Sequence, residues 1–195
     1  MENLIRALAF GGILNIEEVE AIAAHFELLE LASGEDLLSI GKISRKIGYV
    51  DTGILRAFAV DGRQKEVTKY FIGENQWAVE IKSFYDNEPS DTAIAAVTPC
   101  RLYTIDRMVW ARLNEKFSKL YILTKSLTEA TLLNKIRDNE FLHFGSAREK
   151  YLFFVKRYPD LTRRVPLQYI ASYLKITPQS LSRIRKELTQ KRGPV

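Results

Sequence analysis

The side chains best equipped for chemistry lie near the end of the chain, in VPLQYIASYLKITPQSLSRIRKEL, Val165 to Leu188. At about 100° per residue, Gln179, Arg183, Lys186 and Gln190 fall on one side of a helix, with Ser182 flanking them. Arginine can donate two bonds to guanine, glutamine can both donate to and accept from adenine, and lysine offers a point charge. This set suits base edges and phosphates.

Two helices must position that face. Pro166 fits a first helical turn, where the missing N–H has no intrahelical partner in any case. Leu167, Ile170 and Leu174 then recur at helical spacing, and Ala171 is small enough for a second backbone to approach closely. Thr177 can cap the next helix, Pro178 can open it, and Leu181, Ile184 and Leu188 turn back toward the first. Short helices with a tight joint and a polar outer face describe a helix-turn-helix. The alternative is an ordinary helical hairpin whose polar face is merely wet. Charge separates the two. Residues 141–195 hold 12 Lys/Arg against 3 Asp/Glu, while residues 1–140 hold 17 against 21, so the whole positive excess lies here. Phosphate binding requires that distribution.

Composition bounds the rest. A 195-residue chain with 46% apolar and 11% aromatic residues can bury a proper core in one large domain or two small ones. No basic-then-apolar leader and no uncharged apolar run of membrane length are present, which predicts a cytoplasmic protein without membrane contact. Cys100 is the only cysteine, so an intramolecular disulfide and a four-cysteine metal site within one chain are excluded. It reads as a small buried residue at a strand start rather than a redox thiol. His25 and His143 are the only histidines, too few for a histidine-rich metal centre.

Taken in order, Leu4 to Glu30 reads as helical, with a Gly11-Gly12 break and Asn15 as the following cap. From about Leu28, short apolar runs alternate with glycine punctuation at residues 34, 41, 48, 53, 62 and 73, the rhythm of antiparallel strands. Gly53–Val60 and Lys65–Phe71 around Asp61-Gly62 form the clearest hairpin; Thr92–Val97 and Arg101–Ile105 follow. A long helical signal then runs from Asp106 to about Phe141. Within it Leu120, Leu123, Leu127, Ala130 and Asn134 keep heptad spacing, which predicts packing of Phe117–Asn139 against a second copy, or alternatively a helix lying on the sheet. Ser146 with Glu149 opens another helix, ended by Tyr158-Pro159-Asp160.

The expected fold is α+β. It comprises an antiparallel, jelly-roll-like β-roll with flanking helices over 1–115, a dimerisation helix and hinge over 116–143, and a helix-turn-helix domain over 144–195. This order, with ITPQSLSRIRKEL at Ile176–Leu188 and glycines 34, 41 and 53, resembles the Crp/Fnr family of bacterial transcription regulators. The resemblance implies a homodimer on a palindromic operator in double-stranded DNA, with RNA polymerase as a further partner and a small-molecule effector in the β-roll. By that likeness Gln179, Ser180 and Arg183 correspond to base- or backbone-contacting positions, and Thr177, Ser182 and Lys186 to phosphate-side ones.

Departures from the family carry equal information. Members that bind cyclic AMP hold its phosphate with a Gly-Glu pair and a downstream Arg-Ser or Arg-Thr. The matching positions here are Val79-Glu80 and, after Pro89-Ser90, Asp91-Thr92. Valine crowds the backbone approach, and a carboxylate at 91 repels phosphate. The pocket is therefore expected to be degenerate and not to bind cyclic AMP, and no other cofactor or metal is expected. Lys175 stands where the joint normally carries glycine, and any β-hairpin wing must come from Leu161–Val165. Two rivals remain on the sequence alone. A cupin-like enzyme is disfavoured because no histidine lies from Ile40 to Thr131. A non-DNA regulatory or ligand-binding β-roll module is disfavoured by the clustered positive charge.

Overall fold

Among the described residues, eight short strands set apart by glycine-punctuated turns pair into two antiparallel sheets. A computed structural model describes residues 1–190; the side chains of residues 134, 135 and 137–141 lie outside the described set. Helix α1 (Glu2–Leu8) and a 3-10 turn (Phe10–Gly12) lead to α2 (Ile16–Ala23), where Asn15 and Glu18 form the reciprocal capping box. The strands are β1 (Glu27–Leu31), β2 (Asp36–Leu38), β3 (Lys46–Thr52), β4 (Leu55–Val60), β5 (Glu66–Ile72), β6 (Trp77–Ala78), β7 (Ala93–Ala96) and β8 (Cys100–Asp106), with α3 (Ile81–Asp86) after β6. One sheet runs β1-β8-β3-β6 and the other β2-β7-β4-β5. Small and branched apolar side chains from all eight strands meet between the sheets, including Val50, Leu55, Ala57, Ile94 and Leu102. Each fully buried large aliphatic there contributes about 1.5–3 kcal/mol.

Gly53 makes the β3–β4 turn with φ +100°, and a Cβ there would lie 2.5 Å from the Pro99 carbonyl and 2.6 Å from Cys100 Sγ. Only glycine fits both the backbone and the space. Cys100 is buried at the start of β8, as its sequence context predicts, and burial pushes its thiol pKa up.

After β8 come α4 (Arg107–Lys116) and α5 (Ser118–Phe144). The single helix expected over this stretch is broken at Phe117, whose φ −115° and ψ 87° are not helical. The N-terminal helix is likewise shorter than expected. Glu27–Leu31 leaves it to pair with Cys100–Thr104, because sheet pairing outweighs weak helical periodicity.

The heptad seam needs a larger correction. Leu120 and Leu123 are 0% and 1% exposed, buried in this chain's own core with Leu4, Leu8, Ile22, Phe26 and Trp110. Leu127 is half-buried against that core and Ala130 is exposed, while the side chain of Asn134 lies outside the described residues. The same spacing serves a partner helix or a core, and the β-roll claims its first half. Among the described residues, the exposed large apolar side chains of α5 are instead Tyr121, Ile122, Leu132, Leu133, Ile136 and Phe144.

The C-terminal unit contains α6 (Ala147–Arg157), α7 (Pro159–Arg164), α8 (Leu167–Tyr173) and α9 (Pro178–Gln190). Ser146 and Glu149 cap α6 reciprocally, as expected. Leu161–Val165 is not a wing: Pro159–Arg164 is helical, opened by a proline at its first position. No strand occurs after Asp106 among the described residues, and residues 191–195 lie outside them.

Candidate nucleic-acid interface

The α8–α9 pair is built from its buried side outward. Ile170, Ala171 and Leu174 are 0–1% exposed, and Leu181 at 0% and Ile184 at 6% meet them from α9. Ala171 takes the close-packed position that a larger residue would block. Phe154 of α6, fully buried, closes the cluster from below. Residues 174–177 form the joint, and Lys175 adopts φ +56°, the left-handed conformation suspected from its missing glycine. That conformation costs a lysine about 1–2 kcal/mol.

Thr177 caps α9 by accepting the Ser180 N–H at 3.1 Å. Its hydroxyl also donates to Ser180 Oγ at 2.9 Å, so both groups serve the helix end. Ser180 is half-buried in that arrangement, whereas Gln179, Ser182, Arg183 and Lys186 are exposed. The structure thus brings four of the six candidate residues onto one outward surface and places two in the cap. Arg185, exposed three residues beyond Ser182, shares its flank. Spacing measured from Gln179 alone passes it over, although its charge was a usable signal.

The candidate effector residues do not converge in this way. Glu80 caps α3 itself, its carboxylate accepting the Ser83 N–H at 2.7 Å. Asp91 accepts the Thr92 hydroxyl at 2.7 Å, and Lys69 donates to Thr92 Oγ1 at 2.6 Å. Those contacts, the Thr92 hydrogen bond first and the Lys69 charge next, lower the Asp91 pKa. Lys69 on β5 is the counter-cation that local sequence could not reveal. Ser90 is buried, with its hydroxyl donating to the Thr92 carbonyl at 2.8 Å. Tyr70 packs onto the inter-sheet core, where burial, aided by the Glu80 charge, pushes its phenol up to about 12. Of the five candidates, only Val79 lines a cavity of about 220 Å³, and none lines another of about 290 Å³. Small-molecule sites usually run to about 300–1,000 Å³. Of the apolar residues near these candidates, Phe84 is buried in the core with Trp77 packed against it, Phe71 packs toward the C-terminal unit, and Ile81 is exposed.

Among the described residues, no helix is long and apolar enough to cross a membrane. Residues 28–117 match the family profile of the cyclic nucleotide-binding domain. No curated protein sequence matches the chain. Solved structures share its fold along most of its length. FixK2 of Bradyrhizobium japonicum aligns with a TM-score of 0.72 at 13% identity, covering 85% of both chains. The c-di-GMP responsive global regulator CLP of Xanthomonas campestris aligns with a TM-score of 0.71 at 17% identity, covering 91% of this chain and 93% of that one. A protein of Eubacterium rectale described as a transcriptional regulator of the Crp/Fnr family aligns at 0.72 and 13%, covering 92% and 86%. Residues 28–117 are thus a cyclic nucleotide-binding-type domain, in a chain whose fold is shared by solved structures that include the Crp/Fnr family regulator of Eubacterium rectale.

Proposed function

We propose that the chain is a sequence-specific transcription regulator of the Crp/Fnr type, binding double-stranded DNA as a homodimer. The α8–α9 pair is read as its helix-turn-helix. The observation that carries the reading is the exposed Gln179, Ser182, Arg183 and Lys186 face of α9, on the unit that holds all of the chain's positive excess. Residues 144–195 act as the DNA-binding domain, 116–143 as the dimerisation helix and 1–115 as the sensor. Two copies associate through the α5 stripe of Ile122, Leu132, Leu133 and Ile136, which are 47–56% exposed in the single chain. Apolar residues left at such spacing on a long helix want a partner. A two-fold pair would then set its recognition helices into successive major grooves about 34 Å apart.

Retention of random-sequence duplexes tests the DNA reading. The chain should hold them at about 50 mM salt and lose about 10³–10⁵ in affinity by 200 mM if six to ten phosphates are contacted. No retention at low salt would defeat the reading in favour of a non-DNA module.

We further infer that the β-roll does not bind cyclic AMP, since Glu80, Ser90, Asp91 and Thr92 are bonded within the chain and Tyr70 packs into the neighbouring core. Cyclic AMP at a hundredfold excess over a working Kd would stabilise the fold by about 2.7 kcal/mol. The expected result is an unchanged Tm at millimolar nucleotide. A rise of roughly 5–10 °C would show an intact site.

A further inference from the structure

Arg56 on β4 is the only charged residue that is buried among the described residues, at 4% exposure. It stands on the outer face of its sheet, opposite Ala95 of β7 and two positions before Phe58. Its guanidinium carbon lies 4.1 Å from the centroid of the Phe58 ring and 3.7 Å from that of Tyr169, which belongs to α8. The same group is paired with the Glu66 carboxylate of β5. A buried guanidinium is tolerated only when paired and stacked, and here half of the stack comes from the C-terminal unit.

A second contact meets it on the neighbouring strand. β5 is the edge of its sheet, so some of its N–H groups have no strand partner. The Thr68 N–H instead donates to Ser172 Oγ of α8 at 2.9 Å. Farther along β5, Phe71 meets Tyr173 with ring centroids 5.6 Å apart. Beyond the strand, Arg164 donates to Glu74 at 2.9 Å. Helix α8 therefore covers an open sheet edge, with the sandwiched cation as its most specific contact.

We propose that Arg56 is a positioning residue: held between Phe58 and Tyr169, it pins α8, and with it the α9 face, to the open β5 edge of the chain's own β-roll. The pin is reversible because its components tolerate water: on release Arg56 keeps Glu66, and Thr68 regains a water partner. What the placement accomplishes, the spacing of two recognition helices, rests on the DNA reading above. The placement itself does not.

The test is a distance measurement on the full-length chain, spin-labelled at Glu17→Cys on α2 and Glu187→Cys on α9, both exposed positions, in spin-diluted samples. The unsubstituted clamp should give one narrow distance. Arg56→Gln and, independently, Tyr169→Leu should broaden it, whereas Tyr169→Phe should preserve it because only the ring is used. Emission from Trp77 and Trp110, which pack with Phe26 in the N-terminal core, should stay unchanged in all three. A narrow, unshifted distance in Arg56→Gln would overturn the proposal, as would equal broadening by Tyr169→Phe and Tyr169→Leu. If the chain binds DNA, Arg56→Gln should weaken an inverted repeat by roughly 2- to 30-fold and leave a half-site unaffected. Loss at the half-site as well would count against a positioning role. If no DNA is bound, the distance result stands alone and only the DNA reading fails.

Discussion

Arg183→Ala will weaken binding to the preferred duplex by about 1–3 kcal/mol, roughly 5- to 150-fold, and will relax the base preference at one position in each half-site. The expectation follows from geometry and chemistry together. Arg183 is exposed on the outer face of α9, while its neighbours Leu181 and Ile184 are anchored in the core and fix the direction in which it projects. A guanidinium presented in this way can make a bidentate contact with a guanine edge, and an alanine leaves that edge unread. Lys186→Ala provides the contrast. It should weaken all duplexes alike and reduce the slope of log affinity against log salt by about 1, because a point charge meets phosphate rather than base. Competition titrations against duplexes substituted base by base measure both effects. An unchanged base preference in Arg183→Ala would remove that residue from the recognition set.

Gly53→Ala will lower stability by about 2–6 kcal/mol, a fall in Tm of roughly 5–20 °C for a chain of this size. Two separate penalties combine. The backbone holds φ +100°, which an L side chain adopts only under strain. The added Cβ would also fall 2.5 Å from the Pro99 carbonyl oxygen and 2.8 Å from Cys100 Cα, both backbone atoms that cannot step aside cheaply. The same turn donates its N–H to Glu74 at 3.0 Å, and Glu74 accepts Arg164 of the C-terminal unit, so the strain would spread to the junction. Gly62→Ala is the matched control, since a Cβ added there would meet no atom within 4 Å. Thermal unfolding should show a large loss for the first and none for the second. Equal, small losses in both would mean that the β3–β4 turn relaxes freely.

The outward polar face of α9 was legible in the sequence because every local signal agreed. The apolar stripe, the Thr177 cap, the proline at the first helical position and the charge asymmetry all specify one helix and its outer face. Lys175 was legible as a strained joint for a similar reason, and its φ of +56° bears this out. The α5 seam was misread because Leu120 and Leu123 carry heptad spacing that a core can use as well as a second helix. Nothing local announces that α1 and α2 close over them. The break at Phe117 escaped for a different cause: its neighbours are good helix formers, and no glycine or proline marks the bend.

Arg56 shows the limit most plainly. Strand alternation places it beside Phe58 on an outward face, which in sequence reads as ordinary solvent exposure. Its burial depends on Tyr169, more than a hundred residues later. Lys69 beside Asp91 is a similar case, with 22 residues separating the partners. Non-local pairs of this kind are set by sheet order and by docking, neither of which a linear pattern encodes.

Selection of bound DNA from a random pool, using the full-length chain at moderate salt with no added ligand, tests the central claim most directly. Recovery of an inverted repeat, with half-site centres about 34 Å apart, is the result expected of a dimeric, sequence-specific regulator competent without an effector. Recovery of random DNA alone, or of none, would contradict it.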